Sequence, residues 1–137
     1  MRSLTAHEAL IYVMVITSAS DRDMTDDELA RIGLVTRSWP VFVDFDEGKL
    51  IAVAKDCQKL LHDGKSLDGI LESARKAIPE RLHDTAYALA MEVASVDLEM
   101  RMEEVRIMQR LRQHLTLDDE AADAIERASK ARHRVLT

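Results

Sequence analysis

Thr5-Ala-His-Glu-Ala-Leu-Ile-Tyr-Val-Met-Val-Ile-Thr-Ser18 is the stretch on which the fold turns. Thr5 and Glu8 stand at the spacing of a capping box, in which a hydroxyl and a carboxylate satisfy the free amides of a helix start. From Ala9 to Ile16 every residue is apolar, so a helix there has no side to give to water and needs neighbours all round. The run is far shorter than the roughly 18 residues of a membrane-spanning helix, and Glu8 in front of it spoils a signal-peptide reading. What remains is a helix at the centre of other helices.

The rest of the chain supplies them. A second box, Thr25-Asp-Asp-Glu28, opens a helix through Leu29, Ile32 and Val35 that Trp39-Pro40 must end. The segment from Trp39 to Phe45 holds three of the five aromatics and is expected to pin this connection to the core. Leu50, Val53, Ala54, Cys57, Leu60 and Leu61 repeat at helical spacing up to His62-Asp-Gly64, and Ser66 caps a fourth helix through Leu67, Ile70, Leu71, Ala74 and Ile78. Pro79 is placed as the first residue of a fifth helix, whose Ala-rich run from Ala86 to Val96 makes it the expected central one. A sixth helix carries Met102, Val105, Met108 and Leu111, and a seventh carries Leu117, Ala121, Ala124, Ile125 and Ala128 before a basic end. The expected fold is all-α, about seven helices in one globular bundle, with residues 1–137 forming a single domain.

Composition agrees and narrows the function. Four Gly and two Pro in 137 residues leave little of the turn punctuation that sheets need. The net charge of −6 argues against a phosphate-binding face, so no nucleic-acid partner is expected. Cys57 is the only cysteine, which removes internal disulfides and multi-thiolate zinc sites and points to the cytoplasm. A protein partner is expected, and self-association is left open.

The chain also echoes itself. Sliding it along its own sequence until Asp21 falls on Asp97 also sets Met24 on Met100 and Glu28 on Glu104, each at a junction between two helices. The shared pattern, Asp-x-x-Met-x-x-x-Glu, describes a buried helix running into a short acidic loop and then a helix with Glu in its first turn. One reading makes these acids caps and turn residues, since Asp favours turns and the helix dipole favours an acid at its start. The other brings both loops together to offer oxygens to a hard divalent cation such as Ca²⁺ or Mg²⁺. Neither loop is an EF-hand, because the twelfth positions are Ile32 and Met108. Glu92 joins the ligand candidates because it interrupts the run from Ala86 to Val96, where an unpaired carboxylate is costly. Either it is paired, protonated or metal-bound, or it lies on a polar seam with Thr85, Ala88 and Ser95.

Three stretches carry a resemblance: His7-Glu-Ala-Leu-Ile-Tyr-Val-Met14 leading into Ser18-Ala-Ser-Asp21, Pro79-Glu-Arg-Leu82 opening an Ala-rich helix, and the two Asp-x6-Glu loops. In these the chain resembles the TerB-like family, which comprises the tellurite-resistance TerB proteins and the related domain of DnaJ-type co-chaperones. The resemblance covers most of the chain. It implies an all-α domain of about seven helices with a pseudo-twofold repeat, a role in resistance to tellurite or other stress, and metal binding at Asp21, Glu28, Asp97 and Glu104. The family's loops commonly have Gly after the Asp, where this chain has Arg22 and Leu98.

No catalytic residues are expected. Glu80-x-x-His83 has the spacing of one half of a di-iron site but has no second copy, and His7-Glu8 lacks the second His of a zincin. The five His are scattered beside charged neighbours, which suggests solvated or capping roles. The methionines read as core filler. Arg127, Lys130, Arg132, His133 and Arg134 suit a helix C-terminus first and an acidic partner second.

Overall fold

The computed structural model describes residues 3–19, 23–94 and 102–136, with side chains of the last segment from residue 105. Among the described residues there are seven helices and no strand: α1 (Ala6–Ala19), α2 (Asp26–Ser38), α3 (Leu50–His62), α4 (Leu67–Ala77), α5 (His83–Ala94), α6 (Met102–His114) and α7 (Asp119–Arg132). Single 3-10 turns at Pro40–Phe42, Glu47–Lys49 and Glu80–Leu82 shape the connections.

The apolar run behaves as its composition dictates. Every residue of α1 from Ala9 to Ala19 is buried, and α1 packs against α2, α3, α4, α5 and α6. The buried Thr17 hydroxyl is tolerated because it bonds locally, donating to the Val13 carbonyl at 2.8 Å. On α5, Ala86, Tyr87, Leu89, Ala90 and Met91 have no exposed surface. Thus α5 shares the centre with α1 rather than holding it alone. A fully buried Leu or Ile in such a helix contributes about 1.5–3 kcal/mol, so truncating Ile11 to Ala should cost about 2–5 kcal/mol with the cavity included.

The internal echo extends from residues to elements. The offset that carries Asp21 onto Asp97 also carries both bounds of α2 onto those of α6, and it brings the ends of α1 next to those of α5. The packing is reciprocal as well: α1 meets α5, α1 touches α6, and α5 touches α2. A pseudo-twofold arrangement of two helix pairs requires that crossed pattern. The remaining helices break the symmetry, with α3 and α4 against α1 and α7 against α5.

Helix ends follow local chemistry. Thr25 and Glu28 form the expected capping box on α2, with Glu28 N–H donating to Thr25 Oγ1 (3.1 Å) and Thr25 N–H donating to Glu28 Oε1 (2.8 Å). Thr5 and Glu8 do the same before α1. Trp39 is extended, as a residue before proline must be, and ends α2. After α3, Gly64 takes φ +83° so that Lys65 N–H reaches the Leu60 carbonyl and Gly64 N–H the Leu61 carbonyl, a Schellman closure that needs a left-handed residue.

Two boundaries differ from the sequence reading. Pro79 precedes a separate 3-10 turn, closed by Leu82 N–H to the Pro79 carbonyl at 2.8 Å, and α5 starts only at His83. The buried His83 ring bonds back to the Ile78 carbonyl five residues earlier and accepts from the distant Thr116 amide, and together these contacts fix the chain in a tight bend. Leu117 lies outside α7, which is capped by Asp118 Oδ1 accepting from Ala121 N–H at 2.7 Å.

Candidate functional site

The two helix junctions were the sequence's candidate site. Glu28 sits third in α2 and Glu104 third in α6, so both open a helix from the same register. The Glu28 carboxylate is half-buried and closes its capping box through Oε1. Asp21 and Asp97 lie outside the described residues, and so does the Glu104 side chain. Among the described residues no three His, Cys, Asp or Glu side chains are grouped so as to hold a metal.

Glu92 has partners. Its Oε1 lies 3.3 Å from Arg132 Nη2 and 3.2 Å from His133 Nε2, both at the end of α7. The carboxylate is about one-quarter exposed, so this is the paired case, with access to water along the seam. It ties the outer end of α5 to the basic end of α7, a link between segments too distant in the chain for any periodicity argument to supply.

A second polar cluster joins α4 to α6. His114 Nδ1 is 3.0 Å from Glu72 Oε2, and its Nε2 is 3.2 Å from Asp68 Oδ1. Arg75 Nε donates to Glu72 Oε1 at 2.9 Å, and Arg110 reaches Asp68 at 3.4 Å. The hydrogen bond from Arg75, with that of His114 second, holds the Glu72 carboxyl down at about 2. Asp68, Glu72 and Arg75 share one stripe of α4, and Arg110 and His114 one stripe of α6. Those spacings were visible in the sequence, but their pairing was not.

A third cluster centres on Arg112 of α6, which reaches Asp119 (3.1 Å), Asp123 (3.4 Å) and Glu126 (3.2 Å) on α7. Tyr87 of α5 lies beneath it with no exposed surface, and burial, with the charge of Glu126 second, pushes its hydroxyl well above the usual range. Burial likewise pushes the Cys57 thiol up to about 12, so it stays a thiol and a poor nucleophile.

The histidines correct the sequence reading. His83 is not solvated; it is buried, with Nε2–H donating to the Ile78 carbonyl (3.0 Å) and Nδ1 accepting from Thr116 N–H (3.0 Å). The amide can only donate, which fixes the tautomer. Both nitrogens are therefore used: Nε2 closes the α4–α5 bend on itself, and Nδ1 joins it to the α6–α7 loop. His7 is half-buried, its Nε2–H donating to the Val41 carbonyl at 2.9 Å while its ring meets Phe42 and Phe45. The aromatic segment is thus pinned to the core as expected, through a histidine whose part in it the sequence did not reveal. No family model, curated protein or solved structure matches the chain.

Proposed function

We propose that this chain is a TerB-like helical module of stress resistance that acts in the cytoplasm, is not an enzyme, and works by contacting a protein partner. In this reading a divalent cation, Ca²⁺ or Mg²⁺, is held by Asp21, Glu28, Asp97 and Glu104, whose oxygens suit hard cations. The observation that carries it is the register of the two halves: α2 and α6 begin at equivalent positions, each with Glu third, after equivalent acidic stretches. Ligands drawn from two junctions would couple occupancy to the packing of the halves and stabilise the fold by mass action. Glu92, engaged by Arg132 and His133, is given a structural role instead.

Calorimetric titration with Ca²⁺, Mg²⁺ and Mn²⁺ tests this on the wild type and on Asp21→Asn with Asp97→Asn. Binding heat and a raised melting point are expected in the wild type and lost in the double variant. Absence of both in the wild type removes the cation.

A second reading keeps the module and drops the cation. It is favoured by Glu28, whose carboxylate already closes a capping box as Glu8 does at α1. It expects that a chelator leaves melting unchanged, whereas charge reversal at Arg127, Lys130 and Arg134 weakens partner capture.

A further inference from the structure

The two carboxylates between α4 and α6 divide their four oxygens among Arg75, Arg110 and the two ring nitrogens of His114. Glu72 Oε1 accepts from Arg75 Nε at 2.9 Å, while Glu72 Oε2 lies 3.0 Å from His114 Nδ1. Asp68 Oδ1 lies 3.2 Å from His114 Nε2, while Asp68 Oδ2 lies 3.4 Å from Arg110 Nη1. The arginines thus serve the oxygens that do not face the ring. A neutral imidazole has one N–H and one lone pair, and an ionised carboxylate only accepts. With a neutral ring, one of the two contacts sets a lone pair against a carboxylate oxygen; the doubly protonated ring donates to both.

Glu72 stays ionised across the neutral range, because the hydrogen bonds from Arg75 and then His114 hold its carboxyl down at about 2. The ring keeps 18% of its surface exposed, which lets a proton come and go. Asp68 is largely exposed, so screening weakens its share and Glu72 is the stronger partner. The other ionisable groups around α6 are engaged with one another. On α5, His83 bonds to the Ile78 carbonyl and the Thr116 amide, Asp84 to the Thr85 amide, and Glu92 to Arg132 and His133. Tyr87 lies beneath Arg112, to which the α7 acids also turn. Tyr12 of α1 is buried in the core, and Lys76 and Glu80 line a recess with His83.

We propose that His114 makes the α4–α6 contact a pH-sensitive clasp, closed when the ring carries two protons and loosened when it keeps one. Imidazole is the side chain that makes this exchange in the neutral range. Two carboxylates favour the charged ring, so the clasp contributes on the acid side of that range and the contribution is lost as pH rises through it. The last turn of α6 buries Leu111, with Leu115 buried just beyond it, and loosening that turn from α4 opens the edge of this apolar face to water. The clasp involves neither repeat junction and requires no cation, so its fate is separate from that of the proposed function.

A double-mutant cycle over His114→Gln and Glu72→Gln tests this, by urea unfolding without added metal at about pH 5.5 and about pH 8. Glutamine keeps hydrogen-bonding capacity at each position and takes no proton. The coupling between the two positions is expected to shift the unfolding equilibrium roughly fivefold in the acid condition and to fall toward none in the alkaline one. A coupling of equal size in both, or larger in the alkaline condition, overturns the inference, because a neutral ring then makes the bond. A coupling absent from both overturns it as well. Should a variant fail to fold, hydrogen exchange on the wild type carries the test. Protection of the amides from Arg110 to His114, taken relative to those of Val53, Ala54 and Cys57 in α3, is expected to fall severalfold from the acid to the alkaline condition. An unchanged ratio overturns the clasp.

Discussion

Glu72 of α4 and His114 of α6 face each other at 3.0 Å, and this contact joins the two helices across 42 residues of chain. Both residues sit on helices whose apolar faces were readable from spacing, but the contact itself arises only when α6 lies against α4. Arg75 completes the arrangement by holding the other carboxylate oxygen.

The depressed Glu72 carboxyl predicts a defined acid response. Its ordinary value of 4.5 is lowered to about 2 in the fold, first by the Arg75 hydrogen bond and then by that of His114. A lowered carboxylate stabilises the folded state above its unfolded value and loses that contribution as pH falls through the folded one. Glu72→Gln should therefore be less stable than wild type at neutral pH, and the difference should shrink between pH 4.5 and about 2. Urea unfolding at a series of pH values measures it; a gap that stays constant through this window shows that the charge contributes nothing.

His83→Ala should destabilise the chain by on the order of 3 kcal/mol, because the substitution strands the Ile78 carbonyl and the Thr116 amide and opens a cavity. Chemical denaturation followed by far-ultraviolet circular dichroism gives the value. A change near zero would mean that water replaces the ring without loss.

Gly64→Ala should cost about 1 kcal/mol, since φ +83° at this position places a Cβ against its own backbone. No neighbouring atom lies within contact of the added methyl, so the effect isolates backbone strain from packing. Thermal melting should fall by a few degrees.

Cys57 should be inert in the folded chain. Its surface is fully buried and its thiol is pushed up to about 12 by desolvation. An aromatic disulfide reagent under mildly alkaline conditions should react only after denaturant is added, when one thiol per chain becomes available. Rapid labelling under native conditions would place the α3 face of the core in frequent local opening.

What the sequence determined by itself is the part of the protein governed by short-range chemistry. The run from Ala9 to Ile16 required neighbours on every side, Thr25 with Glu28 fixed the start of α2, Trp39-Pro40 its end, and Gly64 the end of α3. These depend on residues close together in the chain, where spacing is the same as geometry. The repeat was also legible, because the offset between Asp21 and Asp97 preserves helix boundaries as well as acids. Tertiary structure alone decided which polar groups meet. Glu92 stood out as an acid needing an explanation, and its answer, Arg132 with His133, lies 40 and 41 residues away. His83 looked like a surface residue beside Asp84, yet it is a buried link between two bends. Charge and hydrogen-bond partners across helices are set by how apolar faces dock, and a one-dimensional pattern gives the faces without the angle at which they cross.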